Sequence, residues 1–255
     1  MLARPPAALV AEIYSILSRA WGRPHWWPAN SRFEVIVGAY LTQNTSWTNV
    51  ELAMKQLRAA RILNVAGIRA TPLPRLEKLI RSSGYFRQKA RRLKIFVSFL
   101  DKKYGGSLTR MFRRPTSELR QELLALNGVG PETADSILLY AGQHPIFIVD
   151  AYTRRIASRH GILPEHSDYE DVRALFETSL ASVPVVNRGA TSSAAAAHSP
   201  SRMSLSPRSP LTQVFNDMHG LLVSVGKDYC LKSAAQCEQC PLRPLLPQNG
   251  VNPGL

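Results

Sequence analysis

The sequence predicts an all-α protein. Apolar residues recur at the i, i+3, i+4, i+7 spacing of amphipathic helices almost throughout, and residues that cap or end helices sit between the repeats. The only strand-like run, residues 146–149 (IFIV), is too short to build a sheet.

In chain order, Ile13, Ile16, Leu17 and Ala20 share one helical face. Val50, Ala53, Met54 and Leu57 share another, as do Leu93, Phe96, Val97 and Leu100. The pattern returns at Ala134, Ile137, Leu138 and Ala141, and again at Val214, Met218, Leu221, Leu222 and Val225. Thr116 or Ser117 suits an N-cap, Asp168 another, and Gly161 and Gly226 suit helix ends. Residues 184–210 are rich in Ser, Ala and Pro with few large apolar groups, so a disordered insertion is expected there. Its Arg188, Arg202 and Arg208 read first as solvated residues and second as DNA contacts.

The 255 residues suit one large domain or two small ones, and 45% apolar content is enough for a core. No apolar run is long enough to span a membrane, and the N-terminus lacks a signal pattern, so a cytoplasmic location is expected. Lys and Arg number 32 against 18 acidic residues, a net charge of +14. Such a charge draws a protein to a polyanion, with nucleic acid as the first candidate. An anionic membrane is the second, but no segment reads as a basic amphipathic surface helix. A merely basic soluble protein is the plain alternative.

The stretch 126–134 (LNGVGPETA) is the most informative. A helix ends near Leu126, Gly128 and Gly130 flank Val129 in a tight turn, and Pro131 stands where the next helix begins, its missing N–H costing nothing. This is a helix-hairpin-helix, expected over about 117–142. Its glycines permit close backbone approach, and the N–H groups at the new helix start suit a phosphate, without reading base sequence. Further on, the apolar run 146–149 delivers Asp150 to the start of another helix. Asp150 reads as an N-cap, and the helix N-terminus favours its ionised form. An ionised carboxylate suits glycosidic cleavage, where it stabilises an oxocarbenium-like sugar and activates water.

Together these residues resemble the endonuclease III family of base-excision repair glycosylases, over about Phe33 to Cys240. The resemblance implies a helix-hairpin-helix DNA glycosylase fold with two helical domains and a cleft between them. It places a barrel of helices at 30–146, and the N-terminal 1–29 with 147–255 in the second domain. The partner it implies is double-stranded DNA containing a damaged base, flipped into the cleft. Bifunctional members carry a lysine two residues after the second hairpin glycine, and Glu132 stands there instead. A glutamate forms no Schiff base, so water is the expected nucleophile and an abasic site with an intact strand the expected product.

Within that family, Trp26-Trp27-Pro28, the run 41–45 (LTQNT), the run 83–90 (SGYFRQKA) and the run 215–220 (FNDMHG) are most similar to the 3-methyladenine DNA glycosylases of endonuclease III type. That subgroup implies a base pocket of Trp26, Trp27, Pro28 and Trp47, and a cationic alkylated purine suits indole faces. The alternative is that the tandem tryptophans simply anchor the N-terminal helix. Gln43 and Asn44 match the positions that fill the duplex where the base has left. The subgroup's pocket lysine, just after His-Gly, is Leu221 here. Lys89, Arg91 and Arg92 read either as phosphate partners or as a solvated helix face.

The three cysteines, Cys230, Cys237 and Cys240, form no disulfide framework. The family's iron–sulfur loop, 230–246 here, continues to a fourth cysteine, replaced by Leu246. A 4Fe–4S cluster with incomplete protein ligation and a lost cluster both fit, with zinc a lesser alternative. Two rival functions remain: a bifunctional glycosylase and abasic-site lyase, against which Glu132 argues, and a non-catalytic DNA-binding module, against which Asp150 argues. A monomer is expected.

Overall fold

The computed structural model describes residues 4–186 and 199–247. Among them the regular structure is helical, apart from one isolated bridge between Cys230 and Ala235. The chain divides into two compact units: Ala29–His144, and Met1–Pro28 with Pro145–Leu255.

The first unit holds α2 (Arg32–Thr42) through α9 (Pro131–Ser136); α1 (Pro6–Trp21) belongs to the other. Ser31 caps α2 by accepting from the Glu34 N–H, and the carboxylate of Glu34 reaches back to accept from the Asn30 N–H, one residue before the cap. Helix α2 is buried from Phe33 to Leu41. The apolar faces of α3 (Trp47–Ala59) and α6 (Phe86–Tyr104) are buried as their spacing predicts, at Val50, Ala53, Met54 and Leu57 and at Leu93, Phe96, Val97 and Leu100. Short helices α4 (Val65–Ala70), α5 (Leu73–Leu79) and α7 (Leu108–Met111) fill in around them. The hairpin pairs α8 (Thr116–Leu124) with α9, which widens into a π-helical turn over Ile137–Gly142.

The second unit is built on α12 (Pro210–Asp228), which is buried continuously from Thr212 to Gly226 and so serves as a central helix. Helices α1, α10 (Ala151–Arg159) and α11 (Tyr169–Leu180) pack around it.

Several sequence expectations need correction. The buried face of α1 is Val10, Ile13, Tyr14, Leu17 and Trp21, while Ile16 is only half-buried and Ala20 is exposed. Thr116 is the first helical residue rather than the cap, and its hydroxyl pairs with His144 Nδ1 at 2.9 Å. Gly161 does follow α10, but Gly226 lies inside α12, where the Tyr152 ring packs so closely that a Cβ would meet its Cδ1 at 2.1 Å. The expected disorder over 184–210 fails for residues 199–209. Met203 and Ser204 are buried, and Arg208 donates to the carbonyls of Met203 and Ser204. Residues 187–198, Arg188 among them, lie outside the described residues.

Candidate active site

Asp150 reaches its position on an arm without a sheet. The Phe147 N–H donates to Glu177 Oε1 at 2.9 Å, and the Val149 N–H donates to the Tyr169 hydroxyl at 3.3 Å. Side chains of α11 thus satisfy a buried backbone that pairs with no strand. Phe147 also stacks on Phe176 with ring centroids 4.8 Å apart.

At the end of this arm Asp150 caps α10. Its Oδ1 accepts from the Thr153 N–H at 2.7 Å and from the Thr153 hydroxyl at 2.9 Å. Its Oδ2 lies 3.5 Å from Nε2 of His219, a buried residue of α12. Burial alone pushes the carboxyl up. The His219 imidazole and the Thr153 hydrogen bonds outweigh that, leaving Asp150 below the usual carboxylate range. His219 stood inside a motif of the sequence, but nothing in helical spacing marked it as Asp150's partner.

The next residue of α12, Gly220, carries the tandem tryptophans. A Cβ there would meet Pro24 Cγ at 2.8 Å and Trp26 Cβ at 2.9 Å. Trp26 and Trp27 are buried, with ring centroids 5.4 Å apart, and the Lys227 ammonium lies 5.8 Å over the Trp26 ring. Trp26 is therefore an anchor of this unit, whatever else it does. Pro28 is half-buried, and Leu221 is fully buried.

Trp47, Gln43, Asn44 and the hairpin belong to the other unit. Trp47 opens α3 and is half-buried; Asn44 is exposed in the left-handed region at φ +51°. The Gln43 side chain is engaged within its unit. Its Nε2 donates to the Gly128 carbonyl and the Thr133 hydroxyl, both at 2.9 Å, and its Oε1 accepts from Arg92 at 2.7 Å. Gln43 and Arg92 thus brace the hairpin. Gly128 sits at φ +79°, and a Cβ there would lie 1.9 Å from Arg92 Nε. Val129 is buried, Gly130 is exposed and precedes Pro131 at the first position of α9, and no side chain caps that helix. Glu132 is exposed on its first turn.

Lys89 is not a phosphate partner. It is 1% exposed, and its ammonium donates to the carbonyls of Leu41 at 2.8 Å and Ser83 at 2.6 Å. Burial, with Arg92 nearby, lowers it to about 8. Arg91 is exposed.

Cys230, Cys237 and Cys240 border one small, partly open pocket, with Leu246 on the same wall. Arg159 donates to Cys230 Sγ at 3.2 Å. Burial pushes the Cys240 thiol up to about 11, so metal must displace its proton on binding. Among the described residues no three His, Cys, Asp or Glu side chains form a group that could hold one ion. As these side chains stand they form no ready ligand set for a zinc ion or for an iron–sulfur cluster.

The family model for HhH-GPD superfamily base excision DNA repair proteins matches residues 37–182. The chain belongs to that superfamily. It is similar to a protein of Methanocaldococcus jannaschii named as a DNA repair glycosylase, 38% identical over 92% of this chain and 94% of that one. Endonuclease III of Thermotoga maritima is 35% identical over 56% of this chain and 63% of its own length. Among solved structures, the Helicobacter pylori 3-methyladenine DNA glycosylase MagIII bound to 1,N6-ethenoadenine superposes with a TM-score of 0.70 at 26% identity, covering 88% of this chain and 98% of that one. A trapped endonuclease III–DNA covalent intermediate gives 0.70 at 22% identity, over 100% and 98% of the two chains, which supports the fold. The chain is thus a base-excision repair glycosylase with the all-α helix-hairpin-helix fold its sequence predicts.

Proposed function

We propose that this glycosylase is monofunctional and hydrolyses the N-glycosidic bond of an alkylated purine in double-stranded DNA. The observation that carries the reading is Asp150, held as an ionised carboxylate by Thr153 and His219 at the start of α10. As the base departs, positive charge develops at C1′. A fixed anion in a low-dielectric site stabilises that charge and orients a water for attack. A 3-alkylated adenine is already cationic, so it leaves with little help from an acid.

Glu132, at the position of the family's lysine, has no amine to attack the sugar. Strand cleavage is therefore not part of the reaction. Trp27 and Pro28 offer an aromatic and apolar face for the base, with Trp26 anchoring the element behind them, and Trp47, in the other unit, offers an aromatic face of its own. Asn44, exposed and left-handed, enters the duplex, while Gln43 holds the hairpin that presents the Gly128–Gly130 backbone to phosphate. Cys230, Cys237 and Cys240 stand where the family carries its iron–sulfur loop, and a cluster there would take no part in base release. A monomer acting on chromosomal DNA in the cytoplasm completes the reading.

The experiment is release of free base from DNA methylated on purines. Wild type should release 3-methyladenine. Asp150→Asn, which keeps shape and capping, should lose excision by at least about 100-fold while binding DNA as before. Excision by Asp150→Asn at the wild-type rate would refute the assignment.

A further inference from the structure

Residues 201–208, expected from composition to be disordered, reach back to the tandem tryptophans. We propose that this segment is a brace for the base-binding face, with Ser201 and Arg208 as positioning residues that act through Trp27 and Pro28. The proposal rests on the reading of Trp27 and Pro28 as part of the base pocket and adds to it what holds them in place.

The Ser201 hydroxyl donates to the Trp27 carbonyl at 3.3 Å. That oxygen belongs to the planar Trp27–Pro28 peptide, so one hydrogen bond orients both residues. Ser201 is itself fixed by a turn. Its N–H donates to the Ser204 hydroxyl at 2.8 Å, and that hydroxyl donates to the Ser201 carbonyl at 3.1 Å. Arg208 ties the turn to α12. Its guanidinium donates to the carbonyls of Met203 at 2.6 Å and Ser204 at 3.0 Å, and to Gln213 Oε1 at 3.3 Å. Gln213 Nε2 donates in turn to Asp217 Oδ1 at 2.7 Å, and the other oxygen of Asp217 lies 3.4 Å from Arg23 Nε. The stretch 23–27 is therefore held at both ends, at Arg23 by Asp217 and at Trp27 by Ser201, while Pro24 and Trp26 pack against Gly220 between them. All of these residues belong to one compact unit.

Asp217 is 2% exposed, and burial pushes its carboxyl up to about 6 against the pull of Arg23 and Arg208. The anion that holds Arg23 thus leans on the charge of Arg208 as well. Removing one member of such a network leaves its partners buried and unsatisfied, so the loss is passed on to the element the network holds. Trp27 binds the base and Asp150 serves the bond-breaking step, so loss of the brace should weaken binding and spare the chemistry.

The test measures single-turnover release of 3-methyladenine from methylated duplex DNA over a range of enzyme concentrations. Variants of the full chain are Trp27→Ala, Arg208→Met, Ser201→Ala and Ser201→Thr, with Trp27→Ala also combined with Arg208→Met and with Ser201→Ala, each checked for folding by circular dichroism. Arg208→Met should raise the half-saturating concentration about tenfold and Ser201→Ala about threefold, with maximal rates within about twofold of wild type. Ser201→Thr, which keeps the hydroxyl, should behave as wild type. Because the brace acts through Trp27, each double variant should be no weaker than Trp27→Ala alone. Unchanged half-saturation in Arg208→Met and Ser201→Ala, a loss confined to the maximal rate, or effects that add to that of Trp27→Ala would overturn the brace and leave the pocket standing. Should Arg208→Met fail to fold, the Ser201 variants decide. Wild-type behaviour of Trp27→Ala, or no release of 3-methyladenine by wild type, would overturn the pocket reading and the brace with it.

Discussion

His219 and Asp150 face each other across 3.5 Å, from Nε2 to Oδ2, and the residue after His219 is the glycine against which Trp26 packs. One turn of α12 therefore sets both the charge of the carboxylate and the seat of the tryptophans. Removing the imidazole removes one of the influences that offset burial, so Asp150 should rise from its depressed position toward the ordinary carboxylate range. Because Asp150 is depressed in the folded protein, wild-type excision should stay flat down to the acid side of 3.8. It should fall only as the pH passes below Asp150's own pKa, and the stability Asp150 contributes is lost over the same acid range. In His219→Gln the acid limb of the excision profile should move to higher pH. A limb that does not move would separate His219 from Asp150.

Gly128→Ala should damage the hairpin. Its φ of +79° disfavours an L residue, and the new methyl would fall on the Arg92 guanidinium that holds Gln43. A loss of about 1–3 kcal/mol in urea unfolding is expected. DNA affinity should weaken at the same time, because the Gly128 carbonyl is also Gln43's acceptor. Wild-type stability and affinity in this variant would show that the turn tolerates what its geometry forbids.

Lys89→Met should cost stability rather than DNA affinity. The ammonium is the donor to the buried Leu41 carbonyl, and an orphaned carbonyl costs about 1–3 kcal/mol. The slope of log affinity against log salt should match wild type, since no phosphate contact is lost. A shallower slope with unchanged stability would restore Lys89 to the DNA surface. The lysine's own titration has the opposite sense to a gained ion pair. Its folded value of about 8 lies below the ordinary 10.5, so the penalty for burying its charge is relieved as pH rises between them.

Lys89 also marks the limit of what the sequence conveys. Spacing identified the faces of α3 and α6 because apolar periodicity is a local property of the chain. The hairpin and the cap at Asp150 were legible for the same reason: glycine, proline and aspartate declare backbone geometry at their own positions. What Lys89 and Gln43 bond to depends on segments 48 and 85 residues away, at Leu41 and Gly128. Composition alone could not separate a solvated lysine from a buried one. Gly226 misled because a glycine that admits the Tyr152 ring looks, in sequence, like one that ends a helix. The polar segment near Met203 misled because its backbone is satisfied by Arg208, a pairing no composition rule anticipates.

With Glu132 in place of a lysine, the nucleophile proposed to attack the sugar is water rather than an amine. Wild-type protein is incubated with alkylated duplex DNA, once with borohydride and once without, and the strands are separated under denaturing conditions. The expected products are free base and abasic sites whose strands break only after added alkali, with no protein–DNA covalent complex. A borohydride-trapped complex, or strand breaks that appear without alkali in proportion to released base, would contradict it.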